Sequence, residues 1–113
     1  MDKINIEEMS DEKKTNFMLQ KMINDYLERL NLPSCNDMLK KEGHSEKPGE
    51  LTKTHIILLQ CMVKDFFTAS GESIEKVAQE KGIELKEGTL STLEEACIDK
   101  LLADYCKGLE ASN

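Results

Sequence analysis

Tryptophan is missing from this chain of 113 residues, and three Phe and two Tyr supply all of its aromatic rings. Sheet-rich folds draw on aromatic and β-branched side chains to fill a pleated surface, so an all-β architecture is excluded. Cationic surplus is also missing: 15 Lys and Arg stand against 22 Asp and Glu, for a net charge of −7, and both halves of the chain share the deficit. Nucleic-acid binding takes much of its affinity from Lys and Arg displacing counterions, so no nucleic-acid partner is expected. The longest apolar run, Ile56 to Val63, is interrupted by Gln60 and falls far short of the roughly 20 residues that a bilayer needs. No membrane partner is expected, and no secretory signal is evident at the start.

The four cysteines, Cys35, Cys61, Cys97 and Cys106, are too widely and irregularly spaced for the paired knuckles of a structural zinc site. Cys61, Cys97 and Cys106 sit among apolar neighbours, where a free thiol behaves as a small hydrophobe, so buried free thiols in a reducing, intracellular compartment are expected. His44 falls in a polar stretch and His55 at the start of a helix. Neither has a Cys or carboxylate at a spacing that suggests a triad or a metal pair. No Gly-rich phosphate loop occurs. No catalytic residue, metal or cofactor is therefore expected, and the chain is read as no enzyme.

What is present is helical periodicity. Ser10 is a suitable N-cap for a helix reaching about Leu30, with Asp11 and Glu12 in its first turn. Its apolar stripe is Leu19, Met22, Ile23, Tyr26, Leu27 and Leu30, the spacing of a helix that buries one face. The lead-in before it holds Ile4 and Ile6, which could pack back on the body. Pro33 suits the first turn of a short second helix, about 33 to 42, which Gly43 closes. Residues 44–50, with two Pro/Gly breaks and no apolar side chain, read as an exposed linker.

A third helix, about 52 to 69, is apolar around most of its circumference, with Ile57, Leu58, Val63 and Phe66 expected at the centre. A fourth, about 72 to 81, stops at Gly82. The fifth opens on a capping box, Ser91 with Glu94, and runs to about Lys107. The reading is all-α: one helical domain over 1–113, a five-helix bundle with an N-terminal helical hairpin at 10–43, the linker at 44–50 and a three-helix segment at 51–113. No internal repeat is apparent.

Two patterns suggest function. Residues 25–43, DYLERLNLPSCNDMLKKEG, with Leu19, Met22 and Ile23 before them, resemble a LisH motif, a short helical dimerisation element of eukaryotic scaffold proteins. The matching positions are Tyr26 and Leu27 closing the first helix, Cys35, then Leu39 and Glu42. Asn31 stands where the family usually has Gly, and Cys35 where it has Thr or Ser. The resemblance implies homodimerisation through Leu19, Met22, Ile23, Tyr26, Leu27, Leu30 and Leu39. It also implies an adaptor or scaffold role in centrosomal or microtubule-linked, ubiquitin-ligase or corepressor assemblies, in the cytoplasm, at cytoskeletal structures or in the nucleus.

The physical argument agrees, because Met38 and Leu39 of the short second helix cannot cover that stripe alone. The second pattern places Ala78, Gly82 and Ile83 as in a helix-turn-helix. Across residues 72–95, however, seven acids face three lysines. The alternative is thus an acidic regulator that binds a protein of the transcription or nucleic-acid machinery.

Overall fold

The computed structural model describes residues 10–111, with side chains through residue 108; the lead-in with Ile4 and Ile6 lies outside the described residues. Among the described residues five helices account for the regular structure: α1 Asp11–Arg29, α2 Cys35–Lys41, α3 Lys53–Ala69, α4 Ile74–Lys81 and α5 Thr92–Ala111. The fold class is all-α, and among the described residues the extended pairing consists of one isolated bridge, Lys86 with Thr89. By internal packing the chain divides into two compact units, Met1–His55 and Ile56–Asn113.

In the first unit, Ser10 caps α1 by accepting the Lys13 N–H, as its sequence position predicts. The helix ends where Asn31 adopts left-handed backbone at φ 58°, and the Leu32 N–H then reaches back to the Leu27 carbonyl. That is a Schellman closure with Asn in the position glycine usually holds. Pro33 lies two residues before the second helix, preceding its N-cap, rather than inside its first turn. Ser34 is the N-cap and accepts the Asp37 N–H, because a hydroxyl satisfies a free helix N–H and a proline ring cannot. Gly43, at φ 83°, closes α2 as expected.

The segment 44–50 is not a loose linker. Gln20, buried on α1, donates to the carbonyls of Lys47 (2.8 Å) and Glu50 (2.7 Å) and accepts the Gly49 N–H (2.9 Å). One amide side chain thereby satisfies three backbone groups of a turn that has no apolar residue of its own to anchor it. The signal missed in the sequence was a glutamine on the buried face of an amphipathic helix.

The second unit uses the same devices in the same order. Gly71 takes the left-handed position after α3, at φ 77°, and the Glu72 N–H returns to the Phe67 carbonyl. Ser73 caps α4, and Gly82 closes it at φ 69°. Gln60 then holds the turn 86–89, donating to the carbonyls of Lys86 and Thr89 and accepting the Gly88 N–H. The turn sequences are Lys47-Pro-Gly49-Glu-Leu51-Thr52 and Lys86-Glu-Gly88-Thr-Leu90-Ser91. Each runs into a helix whose first turn carries a side-chain cap.

Buried positions correspond as well. Leu19, Met22, Ile23 and Leu27 match Leu59, Met62, Val63 and Phe67 at a shift of 40 residues; Cys35 and Leu39 match Ile74 and Ala78 at a shift of 39. The chain is therefore an internal repeat, contrary to the expectation that none exists. Identity survives at only a few of these positions, such as Leu19 and Leu59, Met22 and Met62, and Gln20 and Gln60, while Ile23, Leu27, Cys35 and Leu39 keep their burial and change their side chains, so the repeat is faint by residue identity. The change of shift falls at the turn between the helices, which is one residue longer in the first unit.

Two expectations about α3 also change. Leu59, Met62, Val63 and Phe67 form its buried face, whereas Ile57, Leu58 and Phe66 are half-buried. Cys61 is exposed and Cys106 half-buried; Cys35 and Cys97 are the buried thiols. The apolar neighbours of Cys61 in sequence point to other sides of the helix, as a 100° step per residue requires.

Candidate functional site

Polar side chains converge inside the first unit. Asn24 on α1 accepts the Cys35 N–H through Oδ1 (2.9 Å), pinning the start of α2, and its Nδ2 donates to the Gln20 carbonyl. The same amide lies 3.4 and 3.5 Å from the two carboxylate oxygens of Glu46. The Glu46 backbone N–H donates to Asn36 Oδ1 (3.0 Å), so the carboxylate is aimed inward by main chain and side chain together.

His55 completes the group. Thr52 Oγ1 accepts the His55 N–H, and His55 Nδ1 accepts the Thr52 N–H (2.9 Å). This is a capping box in which imidazole replaces the usual Glu or Gln three residues into the helix. With Nδ1 accepting, Nε2 carries the proton and donates it to Glu46 Oε2 at 2.8 Å. His55 and Cys35 are fully buried, and the Glu46 side chain keeps 19% of its surface. One ligand-type atom each of Cys35, Glu46 and His55 lies within 4.8 Å of the others. No described buried side-chain nitrogen or oxygen lacks a hydrogen-bond partner, as the cost of desolvating these groups requires.

The order of groups limits the chemistry. The Glu46 carboxylate accepts from the imidazole and lies within 4.8 Å of the thiol sulfur. Burial first, and then the facing carboxylate, push the Cys35 thiol up to about 12, from an ordinary 9.0. A nucleophilic cysteine needs the opposite surroundings, a base or a positive charge beside sulfur. The geometry suits donor atoms gathered for a ligand better than an activated thiol.

The second unit shows what the repeat does at the same place. Cys35, Glu46 and His55 correspond to Ile74, Leu85 and Glu94. Glu94 forms the ordinary capping box with Ser91, while Ile74 and Leu85 help line a cavity of about 280 Å³. Sequence reading missed the first-unit cluster because its members are spread over 21 residues and meet only after two left-handed turns. Thr52-x-x-His55, a capping spacing with His for Glu, was the available signal. His44, the other histidine, is exposed.

Of the seven residues expected at a dimer contact, Leu19, Met22, Ile23, Leu27 and Leu39 are buried within the single chain. A second copy is not needed to cover them. Tyr26 is half-buried and Leu30 is 50% exposed; Leu32, next to it, is 48% exposed. The helix-turn-helix spacing around Ala78 and Gly82 does not lead into a reading helix, since the chain from Ile83 to Ser91 forms the Gln60-held turn before α5 begins. None of the helices is long and apolar enough to cross a membrane among the described residues. Comparison with protein-family models, with curated proteins and with solved structures finds no match for this chain.

Proposed function

We propose that this chain is a non-catalytic protein-interaction module that self-associates through the tip of its N-terminal hairpin and acts as an adaptor or scaffold subunit of a larger assembly. The observation that carries this reading is the exposed pair Leu30 and Leu32 on either side of left-handed Asn31. A single exposed leucine is ordinary. Two together on a rigid Schellman turn, with half-buried Tyr26 one helical turn before them, make a preorganised apolar contact that loses little entropy on binding. The LisH resemblance of residues 25–43 favours a second copy of the chain as its occupant. It also supplies the classes of assembly: centrosomal or microtubule-linked, ubiquitin-ligase or corepressor.

A dilution series followed by amide NMR tests the reading. Signals of residues 26 to 33 are expected to shift with concentration while those of the 86–89 turn stay still. Concentration-independent spectra, or shifts confined to the second unit, contradict it.

A further inference from the structure

We propose that Cys35, Glu46 and His55 form a metal site for a zinc-class divalent cation, leaving one coordination position for water or a ligand from a partner. Three observations carry this, independently of the hairpin contact. The donor set is one sulfur, one nitrogen and one oxygen, the mixture that selects zinc over calcium or magnesium, which take oxygen ligands. The three donor atoms lie within 4.8 Å of one another, so side-chain adjustments of about an ångström bring them around an ion at the usual ligand distances of about 2.0–2.3 Å. Third, the repeat shows that the fold does not ask for these residues: the second unit builds the same place with Ile74, Leu85 and Glu94. A buried thiol and an inward carboxylate in place of isoleucine and leucine cost desolvation, which a bound cation offsets.

The supporting shell is already in place. Asn24 and the Asn36-held backbone of Glu46 orient the carboxylate, the kind of outer contact that fixes metal ligands. When Nε2 turns to the metal the ring proton sits on Nδ1, and Thr52 Oγ1, 2.9 Å away, can accept its hydrogen bond. The Thr52 N–H then loses its imidazole acceptor, and because Thr52 is half-exposed water replaces it. The thiol proton leaves to solvent as sulfur binds. Partial exposure of Glu46 gives the ion its way in.

The test uses the full chain, stripped with chelator and titrated with zinc against a chromophoric competitor, and separately with cobalt(II). One equivalent per chain is expected, with a sulfur-to-cobalt charge-transfer absorption and a thermal midpoint that rises with zinc, because the ion binds the folded state. Cys35→Ser should weaken zinc binding about tenfold or more and abolish the charge-transfer band. The triple variant Cys35→Ile, Glu46→Leu, His55→Glu, which gives the first unit the residues of the second, should stay helical by circular dichroism and take up no zinc. Cys61→Ser should bind as the unmodified chain does. Failure of the unmodified chain to bind zinc, retention of the cobalt band in Cys35→Ser, or its loss in Cys61→Ser overturns the proposal. Cys35→Ser decides the matter even if the triple variant does not fold.

Discussion

Gln20 and Gln60 perform one task in two settings, and the settings set their worth. Gln20 is buried, and its removal leaves the buried Gly49 N–H without a partner. Gln20→Ala is expected to cost about 2–4 kcal/mol, a lost hydrogen-bond set plus a small cavity. Gln60 is half-buried, so water can replace much of what it supplies, and Gln60→Ala should cost under about 1.5 kcal/mol. Urea denaturation of both variants checks the ranking; equal losses would show that the first turn is not held by its glutamine.

Cys35 carries a pH signature in the metal-free protein. Its folded thiol sits at about 12 against an ordinary 9.0, so the native state holds the proton more tightly than the unfolded chain does. The stability tied to that proton is complete below about pH 9 and is lost as pH rises towards 12. Unmodified protein should therefore lose stability more steeply over that window than Cys35→Ser, whose hydroxyl does not ionise there. Parallel curves would mean that the thiol is not buried beside a carboxylate as described.

Among the elements, the helices were legible from the sequence because their limits are set locally. Ser10, Gly43, Gly82 and the Ser91–Glu94 box each stop or start a helix through one side chain or one φ angle, and each stands where its residue type predicts. What joins the elements was not legible. Gln20 reaches a turn 27 to 30 residues away, and His55 meets Cys35 across the whole of α2 and its following turn. A long-range polar contact leaves no periodicity, and its two ends carry no mark that pairs them.

The Asn31 turn gives the element-scale prediction. It holds a non-glycine residue at positive φ where the second unit has Gly71. Asn31→Gly should be nearly neutral, and Asn31→Ala should cost about 1–2 kcal/mol, since alanine lacks the local hydrogen bonding that helps Asn into this region. Thermal denaturation of the two variants reads the difference, and an alanine variant as stable as the glycine one would remove the Schellman closure from the account.

For the molecule as a whole, acidity and self-association remain. A net charge of −7, with seven acids against three lysines across residues 72–95, predicts no retardation of short duplex DNA at physiological salt; a salt-sensitive shift would contradict it. Because Leu19, Met22, Ile23, Leu27 and Leu39 are buried within one chain, the self-association proposed above rests on Tyr26, Leu30 and Leu32. Changes there should disturb association without disturbing the fold, whereas Ile23→Ala, at a fully buried site, should cost about 2–5 kcal/mol of stability. Sedimentation equilibrium of the unmodified chain beside the double variant Leu30→Asp, Leu32→Asp tests the central claim most directly. The account predicts a dimer for the first at tens of micromolar and a monomer of unchanged helicity for the second. A monomeric unmodified chain, or a double variant that dimerises equally well, would contradict it.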